Sequence, residues 1–357
     1  MSEHLDNARG VRQGEELDLE PLARYLREQV PELATNSEVS VQQFPSGHSN
    51  LTYLVRAGGR EYVLRRPPFG SKVKSAHDMG REYKVLSKLH AVYPRAPEPL
   101  VYCEDESILG AKFYVMRRIQ GIILRKDLPP GLDLPPERLR KLQENLVDTL
   151  AELHAIDFVA AGLGDLGRPE GYVERQVTGW TKRYADSKTD EIESVDQVSR
   201  WLAEHIPSQS DAALIHNDYK LDNVVLDPKD PTRIIGILDW EMTTIGDPLM
   251  DLGTALCYWV EAADSPTVQA VRWGPTHLPG SLTRREIVER YAEKSGRNLD
   301  DAVFYYAFGL FKVGVVIQQI YYRYKQGLTK DERFAHLIHG VRIVCDQALS
   351  SIQTGKL

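Results

Sequence analysis

The texture of this chain changes after its first third, and that change limits what it can fold into. Between Val39 and Arg66 the runs VSVQQF, NLTYLVRA and REYVLRR are short and β-prone, with Gly58-Gly59 between the last two as a hairpin signal. Beyond Pro135, Leu139, Leu142, Leu146, Leu150 and Leu153 recur at spacings of 3, 4, 4 and 3, the period of a helix. A strand-rich segment followed by a long helical one predicts an α+β chain, a small sheet lobe and a larger helical lobe with a cleft between them. The 357 residues suffice for a core in each.

Residues 1–16 are polar and read as a loose leader, followed by a short amphipathic helix carrying Leu17, Leu22, Tyr25, Leu26 and Val30. Pro67-Pro68 ends the third strand. A helix with Met79, Leu86 and Leu89 on one face follows, opened by the Ser75-x-x-Asp78 pattern. PLVYCE and AKFYVMR are two further strands around a turn at Ser107–Gly110, and the lobe ends near Gly121. Helical patterns occupy roughly 171–186, 191–206, 283–295, 300–325 and 331–352. AALI (212–215) and RIIGIL (233–238) read as one small β insertion among them. The most apolar run, Tyr305 to Tyr322, is interrupted by Lys312 and two Gln, which favours a buried helix over a membrane span.

Charge is distributed unevenly. The total is −7, which argues against a nucleic-acid binder. Residues 44–126 hold 15 basic and 7 acidic side chains, whereas residues 211–251 hold 3 basic and 9 acidic. One stretch would attract phosphates and the other cations. Cys103, Cys257 and Cys345 form no CxxC pair, and MSEHLDNARG lacks a signal-peptide pattern, so a reducing cytoplasmic setting is expected.

The strongest chemical signal is IHNDYKLDNVVL followed by GILDWE. Asp218 and Asn223 are five apart, and Asp239 lies sixteen further on, each at a strand-to-loop junction. Two carboxylates and an amide oxygen are hard ligands that suit Mg²⁺ with phosphates completing its shell. One carboxylate can instead take the proton of a hydroxyl nucleophile, and Lys220 can place a cation on a transferring phosphoryl group. Taken singly, Asp218 or Asn223 would read as a turn residue; as an ordered set between apolar strands they read as a site. His216 is expected to pack beneath the loop. In the first lobe, Phe44-Pro-Ser-Gly-His-Ser-Asn50 lies between two strands and is either an ordinary hairpin loop or a cradle for phosphates. Glu82 falls on the apolar face of its helix and needs a partner, for which Arg65 is available. That pair is either a plain ion pair or a phosphate-positioning device.

In this order the motifs FPSGHSNLTYLV, YVLRRPP, REYKVL, FYVMRRIQG, LAELHAID, IHNDYKLDNVV, ILDWE and GDPLMDLG resemble the aminoglycoside phosphotransferase-like family over nearly all of residues 38–345. The wording is most similar to the branch found as the kinase domain of some acyl-CoA dehydrogenase family proteins. The resemblance implies a protein-kinase-like bilobal fold, with a leader and helix at 1–37, a nucleotide-binding N-lobe at 38–120 and a catalytic, substrate-binding C-lobe at 121–357. It implies Mg²⁺- and ATP- or GTP-dependent phosphorylation of a hydroxyl. Asp218 would be the base with Lys220 beside it, and Asn223 and Asp239 the metal ligands. Ser46, Gly47, His48, Ser49 and Asn50 would form the nucleotide loop, and Arg65 and Glu82 the phosphate-positioning pair. Met116, Arg117, Arg118 and Ile119 would form the hinge that meets the adenine through main chain.

Three departures from the family pattern stand out. Asn217 replaces the glycine of His-Gly-Asp, Arg65 stands where protein kinases have Lys, and Trp240 stands where they have the Phe of DFG. Asp247 and Asp251 are expected to be structural. Only seven residues (240–246) separate Asp239 from Asp247, too few for a peptide-docking segment, so the partners expected are a nucleotide and a small-molecule hydroxyl acceptor, with no nucleic acid and no membrane. A hydroxyacyl-CoA-like acceptor suits the basic first lobe. An aminoglycoside-like one suits residues 127–210, with 16 acids and 9 bases. The alternative is a non-catalytic nucleotide-binding pseudokinase or scaffold.

Overall fold

The computed structural model describes residues 4–33, 38–45, 50–69, 78–208, 211–329 and 331–357. In chain order the first elements are α1 (Leu19–Gln29), β1 (Ser40–Gln43), β2 (Leu51–Ala57), β3 (Arg60–Arg66), α2 (Met79–Leu89), β4 (Pro99–Cys103), α3 (Glu106–Leu109) and β5 (Phe113–Arg117). Then come α4 (Pro136–His154), α5 (Tyr172–Ser187), α6 (Glu193–Glu204), β6 (Ala213–Ile215), β7 (Val224–Leu226), β8 (Ile234–Ile237) and β9 (Thr244–Gly246). The last are α7 (Pro248–Cys257), α8 (Pro266–Ala270), α9 (Arg284–Ser295), α10 (Ala302–Lys325) and α11 (Leu337–Thr354). The chain divides into two compact units: residues 1–123 with 224–242, and residues 124–223 with 243–357.

The first unit is built on an antiparallel sheet of order β1-β2-β3-β5-β4. The β2–β3 hairpin closes on Gly58 and Gly59, both at positive φ (57° and 74°), the conformation a two-residue turn requires. Leu22 and Leu26 of α1, with Val30 just past its end, share a core with Tyr53, Val55, Leu64, Phe113 and Val115 of the sheet, which confirms the amphipathic reading of that helix. Helix α2 is capped by Asp78 itself, whose side chain accepts from Arg81 N, so the start lies three residues later than the capping pattern suggested; Ser75 lies outside the described residues. The expected turn at 107–110 is a single helical turn, α3, capped by Asp105.

Residues 4–16 are no loose leader. Arg9 forms an antiparallel bridge with Gln43. The buried Gln43 amide accepts from Arg12 N (2.9 Å) and donates to Glu15 (2.6 Å), and Asp6 N donates to Gly121 O (3.1 Å). Composition hid this because the segment is held largely by backbone and amide bonds, with Val11 its apolar contact to the core.

The β insertion is also corrected. AALI and RIIGIL belong to different sheets: β6 pairs with β9, and β8 pairs with β7. The β7–β8 hairpin joins the first unit, where Ile122 bridges Leu226 and Ile237 N donates to Arg95 O (2.8 Å). The buried Trp240 indole meets Tyr93 edge-on and donates to Ile237 O (2.8 Å).

The second unit is a helical body around α10. By length and composition α10 could cross a membrane, but 72% of its apolar stretch is buried, against α5, α6, α7 and α11. Helix α7 crosses it at glycine: a Cβ added at Gly253 would lie 2.1 Å from Tyr305 O, and one at Gly309 2.2 Å from Gly253 O. The three cysteines are buried and unpaired.

Candidate functional site

In the second unit, β6 delivers the loop 216–223. Its first bend is at Asn217, with φ of 67°, a left-handed conformation that Asn adopts more readily than other side-chain-bearing residues. The replacement of glycine therefore leaves the bend intact. The buried Asp251 carboxylate on α7 accepts from His216 N and Asn217 N, both at 2.7 Å, and from His154 Nε2 at 3.1 Å. Burial alone would raise the Asp251 pKa; the hydrogen bonds and positive potential of His154 and His216 outweigh it and hold the group below the usual carboxylate range. Asp247 caps α7 through Leu249 N (2.8 Å). Both acids are thus structural, as expected, and His216 is buried beneath the loop.

Asp218 presents its carboxylate to three donors. Tyr258 Oη donates to Oδ1 (2.8 Å), while Lys220 Nζ (2.8 Å) and Asn223 Nδ2 (3.0 Å) donate to Oδ2. Asn223 Nδ2 also reaches Asp218 O (2.8 Å). With its nitrogen so fixed, the Asn223 amide turns its oxygen away from Asp218, where it can serve as a hard donor to a cation.

Sequence reasoning missed two residues here. Tyr258, just past α7, carried no signal. Lys312 was visible as the lone cation in an apolar run but read only as an interruption. Its buried ammonium donates to Asn217 O (2.9 Å), so both the N–H and the C=O of Asn217 are held. Burial lowers the Lys312 pKa, against the opposing pull of Asp218, Asp251 and Cys257 and with the help of Lys220. Between that lowered value and the ordinary one, the unfolded chain binds more protons than the native one, so stability rises with pH across the window. Lys312→Met is expected to hold or raise the thermal midpoint at pH 7, to abolish that slope, and to lower any turnover that depends on Asp218. Melts from pH 7 to 10 beside steady-state rates check this.

The first unit gathers a second cluster. Arg65 on β3 contacts Glu82 of α2 (3.1 Å), Asp239 (3.0 Å) and Glu241 (3.4 Å). Burial opposes the Arg65 charge, but Glu82 and Asp239 outweigh it and raise its pKa above the ordinary value. Trp240 N donates to Glu82 (3.2 Å), Asn50 Nδ2 to Glu241 (2.6 Å) and Arg81 to Glu241 O (2.9 Å). Asp239 is at positive φ (68°), which turns its side chain out of the β8 direction. Three carboxylates, those of Glu82, Asp239 and Glu241, thus meet at Arg65. Asp239 is the most accessible of them, its side chain 31% exposed against 19% for Glu241 and 1% for Glu82. Glu241 was legible in the LDWE motif but was assigned no role.

Among the described residues no group of three or more His, Cys, Asp or Glu side chains is placed to hold a metal unaided. Each unit by itself offers a hard donor of the kind Mg²⁺ takes, the Asn223 amide oxygen in the second and the Asp239 carboxylate in the first, and Mg²⁺ keeps few protein ligands and takes phosphate oxygens for the rest. Ser46, Gly47, His48 and Ser49 lie outside the described residues. Met116 and Arg117 are the last residues of β5. The Arg117 and Arg118 amides donate to Glu98 O and Glu61 O, and their guanidiniums pair with Glu32 and Glu61, so both of these amides of the expected hinge are engaged.

The second unit also holds an apolar pocket, with about 550 Å³ of empty space when its open mouth is included. Leu146, Leu150, Leu256 and Trp273 form much of its wall, and Lys220, Asp222 and Tyr258 are among its polar side chains.

A family model described as "Phosphotransferase enzyme family" matches residues 40–282. Acyl-CoA dehydrogenase family member 11 of Rattus norvegicus is 36% identical over 323 residues, 88% of this chain and 41% of that protein. Acyl-CoA dehydrogenase family member 10 of Mus musculus is 32% identical over 318 residues, 89% of this chain and 29% of that protein. The chain thus spans less than half the length of these relatives. Among solved structures, a protein assigned as an aminoglycoside phosphotransferase from Ralstonia eutropha is 29% identical with a TM-score of 0.79, covering 95% of this chain and 99% of that one. Choline kinase from Cryptosporidium parvum Iowa II, at 14% identity, TM-score 0.62 and coverage of 94% and 99%, shares the fold. The α+β architecture of a small antiparallel-sheet unit and a helical unit is that of these kinase-like structures.

Proposed function

Because the chain belongs to the phosphotransferase enzyme family, we propose that it transfers the γ-phosphoryl group of ATP or GTP to a hydroxyl group of a small molecule. The observation that carries the reading is the Asp218 carboxylate, fixed by Tyr258, Lys220 and Asn223 on a loop pinned from both sides by Asp251 and Lys312. In this reading Asp218 takes the acceptor's hydroxyl proton as the new oxygen–phosphorus bond forms and the bond to the departing nucleoside diphosphate breaks. Lys220 balances charge on the moving phosphoryl group. Asn223 and Asp239 would hold Mg²⁺, which supplies neutralisation of phosphate charge when bound. Arg65, kept in place by Glu82, meets the phosphates as a fixed cation that cannot deprotonate. Asn50 ends the expected nucleotide loop, of which residues 46–49 lie outside the described residues, and the main chain of Met116–Ile119 would take the base.

The pocket favours an acceptor with an apolar body. Its Leu and Trp walls reward burial of an acyl chain and offer few partners to a polycation. A hydroxyacyl thioester is therefore the acceptor class we favour over an aminoglycoside. The test is mass spectrometry of hydroxyacyl-CoA thioesters and aminoglycosides after incubation with protein, Mg²⁺ and ATP or GTP. A gain of one phosphoryl group on a thioester is expected. Gain on aminoglycosides alone would overturn the acceptor class, and nucleotide binding with no transfer to any hydroxyl compound would favour a scaffold.

A further inference from the structure

Asp218 has two oxygens, and the donors around it divide them unequally. Among the described residues, Oδ2 carries both Lys220 and Asn223, whereas Oδ1 carries Tyr258 alone. A base must offer one oxygen to the hydroxyl it deprotonates. Oδ1, with a single neutral donor, is the oxygen more easily released.

Tyr258 is placed to link that oxygen to the pocket. Its ring lines the pocket beside Trp273, which it meets edge-on (5.6 Å, 78°), and Lys220 Nζ lies 5.0 Å from its centroid. Its backbone is anchored at the end of α7 by a bond from Tyr258 N to Ala255 O (3.2 Å), so movement of the ring falls to side-chain torsions. Burial and the Asp218 charge push the phenol pKa well above its ordinary value, so the group remains a donor. Filling the pocket and freeing Oδ1 are thus coupled through one side chain.

We propose that Tyr258 is a specificity-determining residue that guards the base: without an acceptor its hydroxyl occupies Asp218 Oδ1 and denies it to water, and an acceptor in the pocket displaces it. This rests on the phosphotransferase reading and adds to it how transfer is kept apart from hydrolysis. The reaction prevented is attack by water on the γ-phosphorus, in which a water oxygen–phosphorus bond forms, the bond to the nucleoside diphosphate breaks and the water proton passes to Asp218.

Tyr258→Phe removes one oxygen and keeps the ring. Without an acceptor, its Mg²⁺-dependent hydrolysis of ATP or GTP is expected to rise about tenfold over wild type. Trp273→Leu, which leaves the phenol but removes its edge support, is expected to give a smaller rise and covers the case in which the first variant misfolds. The double variant Tyr258→Phe, Asp218→Asn is expected to return to the wild-type rate or below, placing the added hydrolysis on Asp218. With a hydroxyacyl-CoA acceptor present, the ratio of transfer to hydrolysis should fall in Tyr258→Phe. Hydrolysis unchanged or reduced in both single variants, with a wild type that transfers phosphate, overturns the guard alone. A wild type with no Asp218-dependent turnover overturns the phosphotransferase reading, and the guard with it.

Discussion

Asp218→Ala is expected to lower kcat for phosphoryl transfer by about a thousandfold or more while the protein remains folded. General-base catalysis contributes on the order of 10²–10⁴, and here the same carboxylate also orders Lys220 and Asn223. Its removal withdraws the proton acceptor and releases a cation and a proposed metal ligand together. The structural cost is small by comparison. The Asp218 and Lys220 side chains are each 20% exposed, so water can replace part of what is lost, and about 1 kcal/mol is expected. Asp218→Asn keeps the shape without the basicity and should lose as much rate with less change in stability. Steady-state rates beside circular-dichroism melts measure both. Retained turnover in a folded Asp218→Ala protein would mean that the base lies elsewhere.

The second large effect is on stability. Gly253→Ala sets a methyl group 2.1 Å from a backbone carbonyl, where no side chain can rotate away. Overpacking usually costs about 1–3 kcal/mol, and with a rigid obstacle the upper end or beyond is expected. At roughly 2–4 °C per kcal/mol the melting midpoint should fall by about 6–12 °C. Gly309→Ala meets the same crossing from the other helix and should act alike. The two should combine to less than their sum, since helices already forced apart accept a second methyl group more cheaply. Because α7 carries Asp251, separation from α10 should also disturb the 216–218 loop and depress turnover. A midpoint unchanged within 2 °C would mean that the helices do not cross as closely as described.

Much of this was legible from local pattern. The leucine period of α4, the β2–β3 glycines and the apolar face of α2 each lie within a short window, and window-scale periodicity reports burial of one face. What was missed depended on distance in sequence. AALI carries no mark saying that its partner is β9 rather than RIIGIL, because three-residue strands have too few side chains to specify a register. The polar residues 4–16 are held by Gln43 and Gly121, which composition does not register. In the site, Asp218 and Asn223 stood out because the phosphotransfer chemistry proposed for them calls for their types at a fixed spacing. Tyr258 and Lys312 reach the same loop from 40 and 95 residues away, and each is also an ordinary occupant of a helix or its end.

The discontinuity of the first unit bears on how the protein is made. Residues 1–123 leave the ribosome long before 224–242, separated from Met242 by about 120 residues. At about 5–20 residues per second, that is an interval of roughly 6 to 24 s. During it the sheet can close and Arg65 can meet Glu82, but Asp239, Glu241 and the Trp240 indole have not yet been synthesised. The nascent segment therefore waits with Tyr93 and Ile122 lacking Trp240 and Leu226 as partners. Its charge cluster is completed only when the hairpin emerges, after the whole 124–223 segment has been translated.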